Sequence, residues 1–308
     1  MFTCPPIHRP TPLAVIMLAV AALACNAPLG SAVQTDQPVV TAAVTTPPVE
    51  TVTASAQPSE PAQPTAPPAP VTAPPTAVPN AVQAVYAGIS FYYDYSLASS
   101  WDVEVVPPPV PDPNIPQEWL MASHYAFTLR GYPLTHIFLE PQILVFPTQA
   151  YSELNPLAAQ RIAALRQLLA ERPAAFPQEM PFLPVLNAAQ VIHVQHAYLN
   201  FQNGSGVRYL TQHDQAFLPI NNEELIYTFQ GLTSDGGHLI VVTMPISHPS
   251  LPDDHMQVPG GDPTAFANNF ESYLADITAQ LESAAPDSFA PSIPLLDTMV
   301  QSLLVTPQ

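Results

Sequence analysis

The sequence contains no lysine. Its 6 basic residues are all arginine, against 24 acidic ones. A nucleic-acid binder neutralises phosphate with clustered Lys and Arg. No such cluster exists here, so nucleic acid is excluded as a partner. Removing Arg9, Asp36, Glu50 and Glu60 leaves residues 81–308 with 5 basic and 21 acidic residues, a net charge of −16. Such a domain gains nothing by electrostatic contact with an anionic lipid surface. Cysteine is equally scarce, at Cys4 and Cys25 only, so no disulfide framework supports the fold. No glycine-rich phosphate loop is present. The wholly apolar run 13–24 is shorter than the roughly 20 residues that span a bilayer.

What is present near the start is a secretory pattern. Arg9 is followed by the apolar run and then by small residues, the order of a secretory signal. The run Leu18-Ala19-Val20-Ala21-Ala22-Leu23-Ala24-Cys25 resembles a bacterial lipobox. The resemblance implies that residues 1–24 are a cleaved signal peptide and that Cys25 is lipidated. It implies a cell-envelope lipoprotein, extracytoplasmic and attached to the membrane through an N-terminal lipid anchor. Cleavage would remove Cys4 and leave one cysteine, and lipidation accounts for that odd thiol. Two or more acyl chains make such an anchor stable.

Residues 26–80 have no basic and no aromatic residue and are rich in Pro, Ala and Thr, as in Pro64-Thr65-Ala66-Pro67-Pro68-Ala69-Pro70. Without apolar bulk, burial cannot offset the entropy of ordering. With Cys25, this stretch (25–80) is expected to be a disordered tether. It would reach roughly 170 Å fully extended, or about 40 Å as a coil.

Residues 81–308 are long enough for one large domain, and their pattern predicts an α+β fold. Ile89, Phe91, Tyr93 and Tyr95 share a face at period 2, and this strand is expected to pair with Trp101–Val106. Strands follow at His124–Leu129 and Thr135–Phe146. Pro141 marks the latter as an edge or bulged strand. Asn155, Pro156 and Arg172-Pro173 bound a helix. An antiparallel meander is expected over 191–246, with turns at Asn203–Gly206 and Ser234–Gly237. Strands Glu224–Gln230 and His238–Met244 are apolar on both faces, which predicts helical cover on both sides of the sheet. Asp262 and Ser292 are the caps of two C-terminal helices. The first is expected to run through Phe266, Phe270, Tyr273, Ile277 and Leu281.

The opening Gly88–Tyr93 with Trp101, and the close Ser288-Phe289 leading into Leu296–Leu303, resemble the two ends of the PsbP-like family. The resemblance implies an α/β/α sandwich on an antiparallel sheet and a binding or assembly module, not an enzyme. It carries over no functional residue.

The search for chemistry ends on histidines. His193 and His196 form H-x-x-H, but an odd spacing on a strand sends them to opposite faces. His213 and the Asp235/His238 pair lie near hairpin ends and can join one of them in a Zn or Cu site. His193, His196, His213, Asp235 and His238 therefore carry the alternative reading of a metal-binding domain or metal-dependent hydrolase. Asp253-Asp254-His255 with Asp262 forms an acidic loop without calcium-loop spacing. Glu223 and Glu224 are adjacent and diverge on a strand. Gly204-Ser205-Gly206 is a turn rather than a nucleophile elbow. No motif implies a cofactor. The leading expectation is a non-catalytic module binding an envelope protein or a small ligand.

The anchor generates a direct expectation. Cys25→Ser moves the protein from the membrane pellet to the soluble fraction on cell fractionation. Unchanged membrane retention refutes lipidation at Cys25.

Overall fold

The computed structural model describes residues 80–110, 112 and 114–306. The signal run, Cys25 and the Pro-rich stretch through residue 79 lie outside the described residues. The described part is mixed α+β, built on antiparallel sheets.

Strand β1 (Ala81–Tyr86) turns through Ala87 and Gly88 into β2 (Ile89–Asp94). Both turn residues have positive φ, 47° and 78°, the geometry that matches strand twist in a two-residue hairpin. A short C-terminal strand, β10 (Leu304–Val305), pairs with the other side of β2. The partners of β2 are thus β1 and β10, not the adjacent Trp101–Val106 expected from the sequence. Ile89, Phe91 and Tyr93 are core residues, whereas Tyr95 lies past the strand end and is exposed.

The main sheet has seven strands: β3 (Ser100–Val106), β4 (His124–Arg130), β5 (Gln142–Pro147), β6 (Ala189–Phe201), β7 (Gly204–Asp214), β8 (Ile226–Thr233) and β9 (His238–Pro245). Their order is β3-β4-β5-β9-β8-β7-β6, antiparallel throughout. β8 is buried along its whole length and β9 nearly so, as expected of interior strands apolar on both faces. Two expectations change. β5 begins only at Gln142 and is interior, between β4 and β9. Pro141 precedes it, and its carbonyl accepts from Leu129 N at 3.0 Å. The β6–β7 turn is Gln202-Asn203, because Gly204 already pairs with Phe201.

Each face of the sheet buries its own apolar cluster. The first joins Phe127, Ile143, Leu210, Phe229 and Val242 to β2 and to two helices, α4 (Phe270–Ser283) and α5 (Ile293–Gln301). The second joins Leu144, Phe146, Tyr209 and Val241 to α1 (Thr148–Leu154) and α2 (Pro156–Glu171). Asn155 caps α2 by accepting from Ala158 N at 2.9 Å, with Pro156 in the first turn, and Arg172 closes it in the left-handed region. The helix expected from Asp262 is two helices, because α3 (Pro263–Asn268) stops at Asn269. The Asn269 amide donates to the Ala265 carbonyl at 2.7 Å. That takes the acceptor the next helical N–H needs.

The two faces differ in what locks them. On the first, Arg208 of β7 meets Asp297 of α5 through two bonds of 3.1 and 3.0 Å. Tyr227 of β8 adds a third bond to Asp297 at 2.9 Å. Arg208 also donates to the Gln195 carbonyl of β6. The pair is buried, with side-chain exposures of 8% and 16%. A buried charge left without its partner costs about 3–5 kcal/mol, whereas replacing both partners by apolar residues is often neutral. Asp297→Ala should therefore lower the unfolding free energy by about 3–5 kcal/mol in urea titration. The double variant Arg208→Met/Asp297→Leu should recover most of that loss. Additive losses in the double variant would show the pair to be uncoupled.

Candidate functional site

The histidines of β6 occupy a place that simple alternation does not give them. In the β6–β7 ladder Val194 faces Leu210 and Ala197 faces Arg208. Gln195 and His196 together therefore face Tyr209 alone. This is a β-bulge, with Gln195 at φ 56°. The extra residue reverses the parity of the strand, so His196 and His193 emerge on the same face. His193 Nδ1 and His196 Nε2 are 2.8 Å apart. His193 Nε2 lies 3.0 Å from the Gln178 carbonyl, which only accepts. His193 therefore donates from Nε2 and accepts at Nδ1 from His196 Nε2–H. The reading of opposite faces is corrected, and the bulge is the reason.

Gln195 holds the bulge in place. Its amide donates to the carbonyls of Leu281, Glu282 and Ala284 at 2.8, 3.1 and 2.9 Å, satisfying the open C-terminus of α4. Its backbone N–H donates to Glu282 Oε2 at 2.6 Å. His196 stacks on Phe176 at 4.3 Å. Burial, aided by the charges of His193 and Arg208, pushes its pKa down to about 4.

His213 lies on β7, two residues past Thr211, the partner of His193. It packs against Phe182 at 4.4 Å, and its Nδ1 is buried with no partner among the described residues. Burial first, and then the Arg161 charge, push its pKa down to about 4. Asp235 and His238 are at the far end of the sheet. They border the β8–β9 turn, where Thr233 pairs with Gly204, roughly 30 Å along β7 from His213 at strand rise. Asp235 serves the turn itself, accepting from Thr233 Oγ1 at 2.6 Å and Gly237 N at 2.9 Å. The five candidate ligands thus do not converge. Among the described residues no three His, Cys, Asp or Glu group so as to hold a metal ion.

The remaining acidic candidates are also redistributed. Glu224 precedes β8 and bonds to Asn221 Nδ2 at 2.6 Å, in a buried network with Gln212 and Asp214. Burial, with the Glu224 charge, raises Asp214 to about 6, against the hydrogen bond from Gln212. Asp253 and Asp254 line a hollow of about 620 Å³ with Glu223 and His136. Asp262 caps α3.

A cleft of about 410 Å³ opens on the second face, over β3, β4 and β5. Its position follows from the helices. α2 packs on β7 and β8 and α1 on β5, which leaves β3 and β4 without helical cover. The ladder places Glu104, Ala126 and Leu144 in one cross-strand row, and the small Ala126 makes the hollow. Trp119, Met121, Leu139, Tyr151, Phe182 and Leu186 supply apolar wall. His124 lies in the lining, 5% exposed, in a stack with Phe146 at 4.3 Å and, beyond it, Tyr151 at 4.6 Å. Its Nδ1–H donates to the Ala122 carbonyl at 2.7 Å. Burial lowers its pKa, against that bond and the Glu104 charge. The Asn155 amide donates to the carbonyls of Glu118 and Leu120 at 2.9 and 3.0 Å. The residue that caps α2 thereby also fixes the rim that carries Glu118 and Trp119.

None of the cleft was read from the sequence as a site. His124 is one polar residue opening an apolar strand, and only strand register relates it to Glu104. Among the described residues no helix is long and apolar enough to cross a membrane. The chain matches no protein-family model, no curated protein and no solved structure in these comparisons.

The depressed histidines set an acid limit on stability. His213 titrates at about 4 in the fold and near 6.5 when unfolded. Between these values the unfolded chain binds more protons. The stability that neutral His213 contributes is complete above pH 6.5 and is lost as pH falls toward 4. His213→Leu should show a shallower fall in urea midpoint between pH 6.5 and 4 than the parent. Parallel curves for the two proteins would contradict a neutral buried His213.

Proposed function

We propose that this protein is an extracytoplasmic lipoprotein, anchored through Cys25, whose α+β domain is a non-catalytic module binding a small ligand. We assign the domain the PsbP-like α/β/α arrangement, a reading supported by the separate apolar clusters on the two faces of its antiparallel sheet. The proposed anchor and tether would present the domain outside the membrane. The acidic surface leaves attachment to the lipid.

The observation that carries the binding reading is the cleft over β3–β5. Its volume of about 410 Å³ falls in the range of about 300–1,000 Å³ typical of small-molecule sites. It combines an apolar wall with a few polar groups, as such sites do. The hydrogen bonds of Asn155 hold its rim, which lowers the ordering cost of binding.

A thermal-shift screen of chemically diverse small molecules on the detergent-solubilised full chain tests this. A ligand of the cleft raises Tm with its concentration, as expected for binding to the native state alone. The rise should vanish in Ala126→Leu, which fills the hollow, while that variant still unfolds cooperatively. Ligands whose Tm shifts survive in Ala126→Leu, or which are chemically turned over, would refute the reading.

A further inference from the structure

The hydrogen-bond wiring of the cleft lining leaves several acceptors uncommitted. His124 commits its Nδ1–H to the Ala122 carbonyl at 2.7 Å. As the neutral ring it then has only an acceptor left, Nε2, with no partner among the described residues. Gln142 commits its amide N–H groups to Thr128 Oγ1 at 3.1 Å and Glu140 Oε2 at 3.4 Å. Its Oε1 remains. Glu104 and Glu118 add two carboxylates with no hydrogen bond or ion pair to a side chain among the described residues. Glu140 differs, because Arg130 Nη1 lies 3.3 Å from it. Every charged group in the lining is thus a carboxylate, beside an aromatic and aliphatic wall.

An anionic ligand would meet like charge, with only neutral donors such as the Trp119 indole N–H and the Tyr151 and Thr243 hydroxyls in the lining to set against it, which costs binding free energy. A neutral apolar ligand would leave the His124 nitrogen buried without a donor, also at a cost. A protonated amine supplies donors and charge together. Trp119 lines the cleft and is half exposed, and an indole face attracts a cation within about 6 Å. We propose that the β3–β5 cleft binds a small organic cation, a protonated amine carried on an apolar or aromatic body. This deepens the binding reading above and rests on it.

The test uses one body with three charges: tryptamine (cation), tryptophol (neutral) and indole-3-acetate (anion). Binding to the detergent-solubilised full chain is measured by calorimetry, and phenethylamine and hexylamine extend the cationic arm. The amines should bind at least tenfold more tightly than tryptophol, and indole-3-acetate should not bind. Added salt should weaken the amines and leave tryptophol unchanged. Glu104→Gln/Glu118→Gln alters two carboxylates at the rim and should lower amine affinity at least tenfold without moving Tm beyond a few degrees. Equal or tighter binding of tryptophol or indole-3-acetate overturns the amine assignment and leaves the cleft reading standing. Amine binding undiminished in the double variant places the amine on the general acidic surface and overturns the assignment too. Failure of all five probes to bind below about 1 mM overturns the amine assignment, and a screen with no hit that Ala126→Leu abolishes then removes the cleft reading as well.

Discussion

The bidentate pair of Arg208 and Asp297 is the constraint through which the parts of this domain meet. It joins β7 to α5, draws in Tyr227 from β8 and, through Arg208, holds the Gln195 carbonyl of the β6 bulge. Burying two charges is costly, and good geometry with further hydrogen bonds is what makes it tolerable. Here the partners come from four elements, three consecutive strands and a helix whose Asp297 lies 70 residues beyond Tyr227. The ion pair therefore forms only when the sheet, the bulge and the last helix are all in place.

The bulge transmits that constraint to the other face. Gln195 caps the end of α4 through three carbonyls. The same inserted residue sends His196 across the sheet to His193. A feature that satisfies a helix end on one side thus creates a histidine pair on the other. The cleft obeys a different rule. It exists where the second-face helices stop, over β3 and β4, and its rim is held by Asn155, a residue already needed to start α2. In both places a local requirement for satisfied backbone groups decides where side chains with chemistry stand.

Much of the fold was legible. The helix opened by Asn155-Pro156, the interior character of β8 and β9, and the meander of β6 to β9 all follow from spacing and stop signals. Ile89, Phe91 and Tyr93 read as core and are core. The misreadings share a cause. Pairing β2 with β3 by adjacency overlooked β1 and the distant β10. Counting residues 193 to 196 by strict alternation overlooked the bulge. The candidate ligands His213 and His238 were grouped by nearness to hairpins, yet they sit at opposite ends of β7 and β9. Arg208 carries a local signal of its burial. A lone cation between Val207 and Tyr209 in an apolar strand requires a buried partner, though nothing local names Asp297.

The sequence alone determined the charge balance, the lack of a disulfide framework, and most strands and helices. These depend on composition and on periodicity within one element. Tertiary structure alone decided the strand partners, the face of His196, the separation of the histidines, and the cleft that brings His124, Glu104 and Trp119 together. Those outcomes rest on hydrogen bonds and packing between residues distant along the chain. Their energies enter only when the whole sheet is assembled, so no local pattern encodes them.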